Sequence, residues 1–96
     1  MQEDAPAQFY LGQMYYLGKG VGQDYNEAAK WFRKAAMKED DKAQAFLGQM
    51  YFVGQGVARD FKEAAKWYRE AAKQGNPDAK GTLDLLCRGG IPEACE

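Results

Sequence analysis

Histidine is missing from the 96 residues, serine is missing too, and cysteine occurs only twice. Without an imidazole, and with no seryl hydroxyl beside a base, a hydrolytic triad cannot be assembled. Cys87 and Cys95 lie within the last ten residues with seven residues between them, which is not the C-x-x-C spacing of a zinc site. No metal and no cofactor are expected. No apolar run approaches the 18 or so residues that a spanning helix needs, so no membrane insertion is expected. Lys+Arg 13 against Asp+Glu 14 leaves a net charge of −1, without the basic excess that marks nucleic-acid binders. The opening MQEDAPAQ has neither the basic nor the apolar region of a signal peptide. Nothing alternates with period two, so no strands are assigned.

What the chain has instead is repetition. Residues 18–36, GKGVGQDYNEAAKWFRKAA, return as residues 54–72, GQGVARDFKEAAKWYREAA. The shift, from Trp31 to Trp67, is about 36 residues, a period characteristic of stacked repeat units. The match extends backwards: Ala7-Gln8 and Leu11-Gly12-Gln13-Met14-Tyr15 reappear as Ala43-Gln44 and Leu47-Gly48-Gln49-Met50-Tyr51. An apolar fraction of 46%, with 14% aromatic, supports a single folded domain. Its units are about residues 4–39 and 40–75, with a partial third unit or cap at 76–96.

Asp4, Asp40 and Asn76 recur at the same period, each a residue type that accepts hydrogen bonds from the free amides of a helix start. Pro77 suits the first helical position. First helices are therefore predicted at about 5–17, 41–53 and 77–88, ended by Gly18, Gly54 and Gly89. Second helices begin after Asp24 and Asp60, with Glu27 and Glu63 completing a capping-box pattern, and run to about Lys38 and Lys73. Ala28, Trp31, Phe32, Ala35 and Ala36 form the apolar stripe of the second helix. Gly12, Gly48 and the paired alanines leave little bulk between backbones, which predicts close helix approach. Leu11, Met14 and Tyr15 are assigned to the core, with Trp31, Trp67, Tyr15 and Tyr51 as its principal side chains.

The consensus A-x-x-x-L-G-x-M-Y-x-x-G-x-G-V-x-x-D-Y/F-x-E-A-x-K-W-Y/F-x-x-A-A-x-x-G, met by residues 43–75 and from Ala7 to Ala36, closely resembles the Sel1-like repeat family. That resemblance implies an all-α, right-handed α/α superhelical solenoid related to tetratricopeptide repeats. It implies an adaptor or scaffold, commonly in bacterial signalling, envelope or host-interaction systems, rather than an enzyme. After Arg88 the sequence GGIPEACE replaces the expected connector, so the third unit departs from the pattern. Taken alone, Cys87 and Cys95 read equally as two free thiols or as a disulfide closing a loop of about nine residues. A cysteine-rich secreted subgroup of the family, which has been linked to β-lactam binding, pairs cysteines at this spacing. The resemblance thus carries over a Cys87–Cys95 disulfide, and with it a periplasmic or secreted location, but not the ligand.

The stretch Gly18-Lys19-Gly20-Val21-Gly22 follows a helix and lacks the Gly-Lys-Ser/Thr ending of a phosphate loop, so it reads as a helix-ending turn. Asp24 with Glu27 reads as capping rather than acid–base chemistry. Binding fits better. Phe9, Gln13 and Tyr16 share one helical face, continued by Ala45, Gln49 and Phe52 and then by Gly81, Leu85 and Arg88. By analogy with tetratricopeptide solenoids these columns line the concave surface and offer aromatic anchors and amides to a protein or peptide. The alternative for the rings is packing between units. A carbohydrate or peptidoglycan-fragment binder is the second functional reading, and self-association through open repeat ends the third. Tyr10 and Phe46, where the family usually has a polar residue, form either an exposed edge or a contact with a preceding second helix.

Overall fold

The structure is a computed structural model and describes residues 4–95; the start and the last residue of the sequence pattern, Met1–Glu3 and Glu96, lie outside the described residues. Five α-helices and one short 3-10 turn follow in order: α1 (Ala5–Leu17), α2 (Tyr25–Met37), α3 (Asp41–Val53), α4 (Phe61–Lys73), α5 (Pro77–Arg88) and a turn at Pro92–Cys95. The described residues contain no strand. Each helix packs antiparallel on the next, α1 with α2, α3 with α4, and α2 and α4 against the first helix of the following unit, giving an α/α solenoid of 39 × 24 × 16 Å.

The capping chemistry operates largely as the sequence predicts. Asp24 accepts from the amide of Glu27, Asp40 from Ala43, Asp60 from Lys62 and Glu63, and Asn76 from Ala79. Asp4 makes no such bond. The capping boxes are half-made: the Asp24 and Asp60 amides donate to the carbonyls of Tyr15 and Tyr51, so Glu27 and Glu63 turn outward to Lys30 and Lys66. Gly18 and Gly54 adopt the left-handed conformation that closes α1 and α3, whereas Gly89 does not and Gly90 takes it instead.

Two buried clusters run along the solenoid axis. The larger joins Phe9, Phe32, Leu47, Met50 and Trp67 through the alanines of α2 and α3. The smaller joins Tyr68 to Ala64, Ala71 and Ala79. The glycines sit where the helices come closest: a Cβ on Gly12 would lie 2.6 Å from the Phe32 ring, and one on Gly48 would lie 3.2 Å from the Tyr68 ring. The assignment of the core differs from expectation in two respects. Leu11, Tyr15, Tyr51 and Trp31 are only half-buried, and the largest fully buried side chains are Phe32, Leu47, Met50 and Gln44. Met14, expected inside, is exposed, because no helix covers that side of α1.

Candidate functional site

First helices line one side of the solenoid, and the middle of α1, the N-terminal half of α3 and the start of α5 enclose a shallow groove of about 480 Å³. Its apolar part is formed by Phe9, Ala45 and Phe46, and its polar part includes Gln13, Lys42 and Asp78. Asn76 stiffens the rim where α3 and α5 begin. Its Oδ1 caps α5 through the Ala79 amide at 2.9 Å, while its Nδ2 donates to Asp41 Oδ2 at 2.8 Å. Because successive first helices start at the same level, Asp41, Lys42 and Asp78 gather along one edge. An apolar floor with a side-chain amide and charges of both signs can hold a short apolar side chain and bond the polar backbone on either side of it.

Of the seven residues expected to face a partner, only Phe9 and Gln13 line this groove. Phe9 is no free anchor: it is 9% exposed, its ring 5.7 Å from Phe32 and 5.6 Å from Phe46, so only an edge reaches the groove. Tyr16 is half-buried among Tyr25, Phe46 and Phe32, and its hydroxyl donates to Gln55 Oε1 at 3.1 Å. Phe52 is half-buried with its ring 5.2 Å from Phe61. Tyr16 thus packs between units, as the alternative has it, through Phe46 and Gln55, whereas Phe52 packs on Phe61 within its own unit. Helical spacing placed them on the side of Gln13 and Gln49, but the aromatic that opens each second helix, Tyr25 or Phe61, packs against them. Gln49 and Leu85 are exposed farther along the same face, and Arg88 is exposed and paired with Asp84 at 3.1 Å.

Lys42, Asn76 and Asp78 were not singled out by helical periodicity as a site. The available signal was their position at the first turns of consecutive first helices, which stacking brings together. Elsewhere the surface is less suited to a peptide. A space of about 420 Å³ between α4 and the C-terminal turn is lined by Lys62, Glu63, Lys66, Arg69 and Glu93, with Arg69 bonded to the Glu93 carbonyl. A third, of about 230 Å³, lies on the second-helix side beside Trp67. Among the described residues no cluster of acidic or thiol side chains could hold a metal ion. Cys87 on α5 and Cys95 in the C-terminal turn are joined as a disulfide, their Cα atoms 4.9 Å apart.

Comparison with protein-family models matches the Sel1 repeat over residues 5–40 and again over 41–76. The chain belongs to the Sel1 repeat family. Its fold is similar to a Sel1 repeat protein from Oxalobacter formigenes, with a TM-score of 0.89 and 41% identity, over 92% of this chain and 36% of that one. It is also similar to c5321, a protective antigen of uropathogenic Escherichia coli strains displaying an SLR fold, with a TM-score of 0.84 and 43% identity over 85% of this chain and 18% of that one. Helicobacter pylori cysteine rich protein B matches with a TM-score of 0.78 and 32% identity, over 81% of this chain and 59% of that one. The chain thus spans between about a fifth and three-fifths of the length of these bacterial proteins. No curated protein matches it. Sel1 repeats are protein-interaction scaffolds, typically without catalysis of their own, and among the described residues no helix is long and apolar enough to cross a membrane.

Proposed function

We propose that this Sel1 repeat chain binds a peptide segment of a protein partner in the groove between the middle of α1, the N-terminal half of α3 and the start of α5. The supporting observation is the combination of an apolar floor at Phe9, Ala45 and Phe46 with Gln13, Lys42 and Asp78 at its edges. Gln49 and Leu85 extend the contact along the same face. The groove lining offers no hydroxyl, thiol or imidazole, which supports a site that holds its partner rather than one that transforms it.

Screening a peptide array and then measuring the best binder by calorimetric titration tests this reading, with peptidoglycan fragments as the competing arm. Ala45→Arg fills the groove and is expected to weaken peptide binding at least tenfold, about 1.4 kcal/mol. Lys34→Ala on the second-helix side is expected to leave affinity unchanged. Undiminished binding by a folded Ala45→Arg protein, or binding of glycan but no peptide, would refute it.

A further inference from the structure

Equivalent positions of the repeat meet at the groove, and they do not carry equivalent side chains. At the period of about 36 residues, Phe9, Ala45 and Gly81 are one position. Pro6, Lys42 and Asp78, one turn earlier on the same helices, are another. At the first of these, side-chain bulk falls from unit to unit. Phe9 and Phe46, with rings 5.6 Å apart, form the apolar wall of the groove, and Ala45 forms its floor. At Gly81 a Cβ would meet nothing within 4 Å. The space between α3 and α5 is therefore open for an apolar side chain brought by an occupant.

The other position supplies unlike charges one repeat apart. Lys42 and Asp78 are both exposed and both line the groove, and neither forms an ion pair among the described residues. Asp41, the neighbour of Lys42, already has one carboxylate oxygen bonded to the Asn76 amide at the start of α5. Farther along the same face, Gln13 and Gln49 are uncharged. The charges of the groove thus lie along one edge, positive at Lys42 and negative at Asp78 with Asp41. Covering the apolar floor lowers the local dielectric, so opposite charges carried by the occupant interact with this edge more strongly than they would across open water.

We infer that the segment held in this groove carries an apolar side chain together with one acidic and one basic residue about three positions apart. The inference rests on the groove being the peptide site. The apolar side chain sits on Ala45 beside Gly81, with Phe9 and Phe46 behind it. The carboxylate pairs with Lys42 and the cation with Asp78. Neighbouring helices pack about 10 Å apart, and three extended residues span about the same length at roughly 3.3 Å each. A uniformly anionic partner, such as a nucleic acid or an acidic lipid surface, meets Lys42 but is repelled at Asp78 and Asp41.

The probes are three acetylated, amidated peptides used in calorimetric titration: Gly-Gly-Glu-Gly-Leu-Lys-Gly-Gly, the same with Gly in place of Leu, and the same with Lys in place of Glu. The wild-type protein is expected to bind the first at least fivefold more tightly than either of the others. Lys42→Glu is expected to reverse the preference between the Glu and Lys peptides, whereas the same charge change at Lys34, on the second-helix side, leaves it in place. Gly81→Leu is expected to remove the preference for the Leu peptide. Lys34, Lys42 and Gly81 are exposed, so these variants keep the wild-type circular dichroism spectrum. Equal affinities for the three peptides, or a charge preference that survives Lys42→Glu or is lost equally with Lys34→Glu, would overturn the inference. If Ala45→Arg then still abolished binding of the peptide selected from the array, the groove would remain the peptide site without this selectivity. Failure of every peptide to bind, the array included, would overturn both.

Discussion

Exchanging glycine for alanine at two helical positions is expected to shift stability in opposite directions. In a helix interior the exchange ordinarily stabilises by about 1 kcal/mol, because alanine loses less backbone entropy. Gly81, on the exposed side of α5, has nothing within 4 Å of a Cβ, so Gly81→Ala gains about 0.5–1 kcal/mol. Gly12 is different: its Cβ would stand 2.6 and 2.7 Å from two carbons of the Phe32 ring. Relaxed carbon contacts lie near 3.5–4.0 Å, so the ring must retreat by about 1 Å. It has little room, being 0% exposed, stacked on Phe46 at 5.0 Å and 5.7 Å from Phe9. Overpacking of this kind costs about 1–3 kcal/mol, enough to exceed the helical gain, so Gly12→Ala is expected to be destabilising by up to about 2 kcal/mol. For a chain of this size each 1 kcal/mol moves the midpoint by about 4–8 °C. Thermal and urea unfolding followed by circular dichroism resolve both changes. A Gly12→Ala protein as stable as wild type, or more so, would show that α1 and α2 do not approach as described.

The Cys87–Cys95 bond is expected to appear as a loss of two mass units in the oxidised protein, and its reduction to cost about 2.5 kcal/mol of stability by loop entropy; two alkylatable thiols after oxidative refolding would count against it. Burial pushes the Tyr68 hydroxyl up to about 12 from its ordinary 10.0, so folding holds the phenol neutral. Above pH 10 the unfolded chain releases that proton first; stability is therefore full below pH 10 and falls between pH 10 and 12, a fall that Tyr68→Phe should shrink in denaturation curves. Glu39 holds a left-handed backbone, φ 67°, where the next unit has Gly75, so Glu39→Gly is expected to raise stability by about 0.5–1 kcal/mol in urea unfolding. Tyr16→Ala with Phe52→Ala is expected to lower the thermal midpoint rather than act on binding alone, because both rings pack against neighbouring aromatics; an unchanged midpoint would return them to the binding surface.

Local rules made much of this protein legible in its sequence. The period of Trp31 and Trp67, the Asp and Asn caps and the glycine stops located all five helices, because capping and backbone conformation are settled within a few residues. Gly12 and Gly48 foretold the close approaches, since an unfavourable residue in a helix implies a steric need. What the repeat could not express was which copy of a residue has a neighbour. Met14 and Met50 occupy the same position in the same motif, yet one is exposed and the other sealed under α2. Tyr10 and Phe46 differ in the same way, and so do Trp31 and Trp67, of which only the second is buried. The candidate groove differs from the expected columns for a related reason. Helical spacing put Tyr16 and Phe52 on the side expected to meet a partner, but Tyr25 and Phe61, arriving from the second helices, pack against them. Lys42, Asn76 and Asp78, some 36 residues apart between units, meet only when helix starts are stacked. Periodicity assigns a residue its face; burial is a relation between two helices, and only their assembly in space decides it.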